Sequence, residues 1–219
     1  MTLRQSHGAN IRAFCEAGHV SENLHFQAVL MRHGQTAWSV AGKHTGNTDI
    51  PLTPEGEVEA IAMTNRLGAH QFDLVLSSPL VRARETCERV GHSEHVQLRD
   101  DLREWDYGDY EGLTSPQIQE INPGWNLWTD GCPGGESPAA VAARCDRIIE
   151  ELLAQATGGT GDALLFAHGH ILRALAARWC EMPVSEGARL MLSTAAASNL
   201  SFEHNIRTIR FWNRTAVDH

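Results

Sequence analysis

Three short, near-continuous apolar runs, each ending in a cluster of reactive residues, constrain this chain most. They are Gln27-Ala-Val-Leu-Met31, Asp73-Leu-Val-Leu-Ser77 and Ala163-Leu-Leu-Phe-Ala167. Runs of this kind suit strands covered on both faces. Directly after them come Arg32-His33-Gly34-Gln35-Thr36, Ser77-Ser78-Pro79-Leu80-Val81-Arg82-Ala83-Arg84 and His168-Gly169-His170. In open α/β sheets, ligands bind outside the carboxyl ends of the strands. Adjacent parallel strands would then bring two arginines and at least two histidines together. Such a pocket suits a phosphate, because guanidinium groups match phosphate oxygens in paired hydrogen bonds.

Helix signals lie between the runs. Thr53-Pro54-Glu55 places a capping Thr before a Pro at the first helical position. Ser137-Pro138 repeats that start, and Val141, Cys145, Ile148, Ile149 and Leu152 follow along one helix face. That helix should end near Gly158-Gly159. Another is expected from about Ile171 to Trp179, and the tail, Leu190–Ser193 and Asn199–Trp212, alternates like strands. Alternating strand and helix signals indicate an α/β sandwich. The stretch from about 102 to 135 is rich in Gly, Trp and Asp and lacks periodicity. A long irregular segment inside a compact domain is usually functional.

Composition narrows the classes. A chain of 219 residues favours one domain with enough core to fold without disulfides or metal. A net charge of −9 argues against broad binding to nucleic acid or to an anionic membrane. Cys15, Cys87, Cys132, Cys145 and Cys180 are scattered, without a C-x-x-C pair, so reduced thiols in the cytoplasm are expected. Residues 1–25 read as a polar N-terminal extension with no apolar leader, expected to be disordered. The alternative for them is a regulatory or oligomer-forming arm. The domain proper is expected over 26–219.

Each reactive cluster has a bland reading when taken alone. Arg-His-Gly is a common tripeptide, and Arg82 with Arg84 could be the solvated face of a helix. His168-Gly-His170 could be a metal pair, but no acidic or Cys partner lies at ligand spacing beside it. The weight comes from all three clusters falling at strand ends in one chain.

Together these segments resemble the histidine phosphatase superfamily, which includes cofactor-dependent phosphoglycerate mutases. Leu30-Met-Arg-His-Gly-Gln-Thr-Ala-Trp38 resembles its signature, and Ser77-Ser-Pro-Leu-Val-Arg-Ala-Arg-Glu-Thr86 its second motif. Leu102-Arg-Glu-Trp-Asp-Tyr-Gly-Asp-Tyr-Glu-Gly112 resembles the segment carrying an acid, and Phe166-Ala-His-Gly-His170 the last motif. The likeness spans about 27 to 212 in the right order. Thr45-Gly-Asn-Thr48, Trp125-Asn-Leu-Trp128, Gly131-Cys132 and Gly135-Glu-Ser137 are closer to bacterial acid phosphatases and the fungal sedoheptulose 1,7-bisphosphatase. The implied fold is a three-layer α/β/α sandwich around a mostly parallel central sheet.

The resemblance implies roles. His33 would be the nucleophile, attacking as neutral imidazole to form a phosphohistidine. Arg32, Arg82 and His168 would hold the phosphoryl oxygens, and Glu104 would be the general acid. Nothing calls for a metal or another cofactor. Ser39 stands where many relatives carry Asn, a position expected to touch phosphate or orient the nucleophile's loop. Thr45, Gly46 and Gly169 join the expected substrate-binding set. Trp105 and Tyr107 are expected to form the wall for the substrate's organic part. Lys43, with His44, is the nearest cation for a second phosphate.

The implied activity is that of an acid-type phosphomonoesterase acting on a small phosphorylated metabolite, such as sedoheptulose 1,7-bisphosphate. A cofactor-dependent phosphoglycerate mutase is the alternative. Mutases carry a longer, basic insertion between the acid and the last histidine, whereas here that stretch holds only Arg144 and Arg147. A phosphate-binding module without catalysis and a metal hydrolase are weaker alternatives. No nucleic-acid or membrane partner is expected, and a homodimer is allowed for.

Overall fold

The computed structural model describes residues 25–217 apart from 69 and 160. The extension expected over 1–25 therefore lies, but for residue 25, outside the described residues. Six strands form one sheet: β1 (Gln27–Arg32), β2 (Leu74–Ser77), β3 (Gln97–Leu98), β4 (Ala163–Ala167), β5 (Ala197–Glu203) and β6 (Ile206–Arg214). Their spatial order is β3-β2-β4-β1-β5-β6. The first four are parallel, and β5 and β6 close one edge antiparallel. The three apolar runs thus become neighbouring parallel strands, with β4 between β2 and β1.

Helices cover both faces. Val29 and Met31 of β1 and Leu164 and Phe166 of β4 face α2 (Pro54–Leu67) and α3 (Val81–Arg89), after the short α1 (Ala37–Val40). The alternate residues Ala28, Leu30, Ala163 and Leu165 face the other layer. That layer holds the short helices α4 (Ser115–Ile121) and α5 (Leu127–Asp130), then α6 (Pro138–Gly158) and α7 (Gly169–Trp179). Thr53 and Ser137 cap α2 and α6 through their hydroxyls, as their Thr-Pro and Ser-Pro pairs predict. The face of α6 expected to be buried, Val141, Cys145, Ile148, Ile149 and Leu152, is the buried face, and Gly159 ends the helix in a left-handed turn.

Two expectations need correction. Leu190–Ser193 is a loop rather than a strand, because side chains take its backbone groups. Arg32 donates to the Leu192 carbonyl, Trp212 to that of Met191, and Asn213 accepts from the Ser193 amide. Helix α7 begins at Gly169, two residues earlier than the apolar pattern suggested, so His170 lies in its first turn.

Candidate active site

Strand register builds the site. Arg32 pairs with Ala167 across β1 and β4, and Ser77 with Phe166 across β2 and β4. The pairing continues past the strand ends: His33 N–H donates to Ala167 O at 3.0 Å, and Ser78 N–H to Phe166 O at 2.9 Å. His33, Ser78 and His168 therefore emerge side by side, with the His33 and His168 ring centroids 5.2 Å apart.

The nucleophile loop is held down by a close backbone approach that only glycine permits. A Cβ on Gly34 would stand 2.3 Å from Gly56 O, and one on Gly56 2.1 Å from Gln35 O. Gly34 N–H also donates to Thr86 Oγ1 at 3.1 Å. His33 is 5% exposed, and its Nδ1 lies 2.7 Å from Gly34 O. A carbonyl can only accept, so Nδ1 carries the proton and Nε2 keeps its lone pair. Burial, then Arg32 and Arg82, hold the His33 ring well below the usual histidine range, against the pull of the Gly34 carbonyl.

A cavity of about 220 Å3 opens over this loop. Arg32, His33, Ser39, Lys43, Thr45, Glu104, Tyr107 and Gly169 line it, all expected from sequence, together with His44, His170 and Arg173. The guanidinium of Arg32 lies against Gly169, where a Cβ would come within 3.4 Å of it. Its Nη1 donates to Leu192 O, while its buried Nε has no partner among the described residues. The Glu104 carboxylate accepts from Trp105 N–H at 2.9 Å, His170 N–H at 2.9 Å and Ile171 N–H at 2.8 Å. The last two belong to the first turn of α7, so the helix start fixes the acid's position. Ser39 Oγ accepts from Thr36 N–H and donates to Thr36 O, which makes it a brace for the loop.

Four expected contact residues sit elsewhere. Arg82 and His168 are fully buried behind the cavity. Arg82 donates to Thr45 O, Gly46 O, Thr48 O and His168 Nδ1, each at 3.0–3.1 Å. His168 Nε2 lies 2.7 Å from Ser78 Oγ. Their polar atoms are engaged with protein, so here they hold the floor; Arg82 brings the positive charge, and burial and Arg82 hold His168 well below the usual histidine range. Gly46 is corrected as a substrate contact: its N–H donates to Glu111 and its carbonyl accepts from Arg82. Trp105 is corrected too. Its ring has no exposed surface, its indole N–H donates to Glu136 O at 3.0 Å, and Trp128 packs edge-on against it.

Sequence reasoning missed Arg173 and gave His170 only a metal reading. His168 and His170 point to different partners, Arg82 with Ser78 and Tyr107 respectively. Arg173 sits three residues beyond His170 on α7, on the face shared by i and i+3 residues. That spacing was the available signal.

A doubly covered, mostly parallel sheet with a histidine and an arginine at the end of β1 and a histidine at the end of β4 defines a phosphate-handling α/β enzyme fold. The model of the histidine phosphatase superfamily (branch 1) matches residues 28–215, and the chain belongs to that family. It is 42% identical to an acid phosphatase of Mycobacterium tuberculosis over 83% of this chain and 89% of that one. It is 36% identical to the sedoheptulose 1,7-bisphosphatase of Saccharomyces cerevisiae over 73% of this chain and 69% of that one. A solved structure of an open-reading-frame product from Mycobacterium tuberculosis superposes with a TM-score of 0.83 at 39% identity, covering 88% of this chain and 99% of that one. No described helix is long and apolar enough to cross a membrane.

Proposed function

We propose that this chain is a cytoplasmic phosphomonoesterase that works through a phosphohistidine at His33. One observation carries the reading: the Nδ1–H of His33 is tied to Gly34 O, which leaves Nε2 without a partner among the described residues, in a cavity also lined by Glu104 and Arg32. His33 Nε2 attacks phosphorus, the P–O ester bond breaks, and Glu104 gives its proton to the leaving alkoxide. Water then attacks phosphorus, the P–N bond breaks, and Glu104 takes the water's proton as inorganic phosphate leaves. Arg32 supplies hydrogen bonds to the phosphoryl oxygens, and Arg82 adds positive field from behind, with the neutral His168 ring held against it.

Hydrolysis is favoured over a mutase reaction because the two basic residues between acid and last histidine are committed elsewhere. Arg144 grips Glu136 and the carbonyls of Asp101 and Arg103, and Arg147 pairs with Asp101. Neither lines the cavity.

The favoured specific substrate is a sugar bisphosphate such as sedoheptulose 1,7-bisphosphate. Lys43 and Arg173 are the cations of the cavity beyond Arg32. Arg173 spends Nε and Nη2 on the carbonyls of Gly187 and Ala188, leaving Nη1. Lys43 lies over Trp38, 5.2 Å from the ring centroid, with no carbonyl or carboxylate partner among the described residues. The test compares kcat/KM for the bisphosphate, its monophosphate and an aryl phosphate in wild type and Lys43→Ala. A bisphosphate preference of about tenfold, or about 1.4 kcal/mol, that falls in the variant supports this substrate. Equal values in both proteins leave a general phosphatase. The reducing cytoplasm suits the free thiols of Cys87, Cys132, Cys145 and Cys180.

A further inference from the structure

The chemistry above uses neither His44 nor His170, yet both rings line the cavity. They lie parallel, with an interplanar angle of 1° and centroids 6.1 Å apart. Each has one nitrogen fixed by a protein partner. His44 Nδ1 is 2.9 Å from Leu113 O. A carbonyl only accepts, so His44 in its neutral form carries its proton on Nδ1 and presents Nε2 as an acceptor.

His170 is set the opposite way. Its Nδ1 lies 2.6 Å from the Tyr107 hydroxyl. Tyr107 is 2% exposed, and burial, then the Glu104 carboxylate, keep its phenol protonated, with a pKa well above the ordinary tyrosine value. A buried O–H that is not donated costs its full desolvation, so its proton goes to His170 Nδ1. Burial, then Arg173 and His44, keep the His170 ring neutral. Its one proton is therefore on Nε2, which has no partner among the described residues.

One ring thus offers an acceptor and its neighbour a donor. An alcohol is both donor and acceptor, whereas an aryl ring or a bare alkyl chain is neither. We propose that His44 and His170 form a hydroxyl-recognition pair that selects phosphate esters carrying a free hydroxyl on the carbon chain beside the ester. Tyr107 is the positioning residue that sets the tautomer of His170. The proposal rests on the phosphatase reading and names the substrate class of that site, polyol phosphates.

The test uses two alkyl esters with near-identical leaving groups, glycerol 3-phosphate and n-propyl phosphate. They differ in hydroxyls and little else, so their kcat/KM ratio isolates hydroxyl recognition from the chemical step. Wild type should prefer the glycerol ester about tenfold or more, equivalent to about 1.4 kcal/mol. The ratio should collapse towards one in His170→Ala and fall part of the way in His170→Gln, whose amide keeps an N–H. It should also fall in Tyr107→Phe, which leaves the ring in place but releases its tautomer. A purely structural role would lower both esters together and leave the ratio alone. A wild-type ratio near one, or a ratio unchanged in all three variants, overturns the proposal while leaving the phosphatase reading intact. No turnover of either ester or of an aryl phosphate by wild type overturns both.

Discussion

Arg82 Nε lies 3.0 Å from His168 Nδ1, and this bond decides which nitrogen of His168 carries the proton. Arginine never deprotonates in this range, so its N–H must donate and Nδ1 must accept. Neutral His168 then carries its proton on Nε2, 2.7 Å from Ser78 Oγ. The His33 and His168 rings stand 5.2 Å apart, so the Ser78–His168–Arg82 chain braces the nucleophile's ring from behind.

The same guanidinium also holds the carbonyls of Thr45, Gly46 and Thr48. A lysine offers three donors from one point and cannot serve four partners spread across a plane. Arg82→Lys should therefore leave buried acceptors unpaired and cost about 2–4 kcal/mol of stability, at 1–3 kcal/mol per lost partner. Activity should fall as well, because the floor under His33 loosens. Urea unfolding and kcat/KM on one preparation check both effects. Wild-type values in both would contradict the placement.

Acid stability should report the buried histidines. Burial lowers the pKa of His33, His168 and His170, helped by Arg32, Arg82 and Arg173 respectively. Below the free value of about 6.5 the unfolded chain takes up protons that the folded protein refuses. Their contribution is thus complete above about pH 6.5 and is lost as pH falls towards the lowered folded values. Each histidine adds up to about 1.4 kcal/mol per pH unit in that window. His170→Asn should flatten the fall in unfolding free energy between about pH 6.5 and 5 by about one histidine's share. An unchanged slope would mean that His170 is not held neutral.

Much of this site was legible because strand-end motifs carry their own geometry. Once β1, β4 and β2 are read as parallel neighbours, His33, His168 and Arg82 must meet, and their pairing follows from register. The sequence could not say which of them faces the cavity and which supports it. Arg82 and Trp105 look like contact residues in a motif, but they are buried by partners distant in the chain, Thr45–Thr48 and Glu136. The alternation over Leu190–Ser193 predicts a strand because it is a local signal only. The backbone there is taken up by Arg32 and Asn213, which no local pattern reveals.

Glu104 should matter in proportion to how badly the leaving group needs a proton. Glu104→Gln keeps the shape and, with its oxygen in the Oε1 position, still accepts from Trp105 and Ile171 N–H, but it sets an NH2 against the His170 amide and has no acidic proton. Turnover of an alkyl phosphate should drop by about 10²–10⁴, the usual contribution of a general acid. With nitrophenyl phosphate, whose leaving group is stable as the anion, the loss should be much smaller. Equal losses on both substrates would assign Glu104 a structural role only.

The most direct measurement is a rapid quench with radiolabelled phosphate ester, followed by mapping of the label. Wild-type protein quenched during turnover should carry acid-labile, alkali-stable phosphate on the peptide containing His33, attached at Nε2. His33→Ala should carry none and should lose essentially all turnover, while keeping wild-type-like unfolding. Label on another residue, or full activity in His33→Ala, would contradict the account.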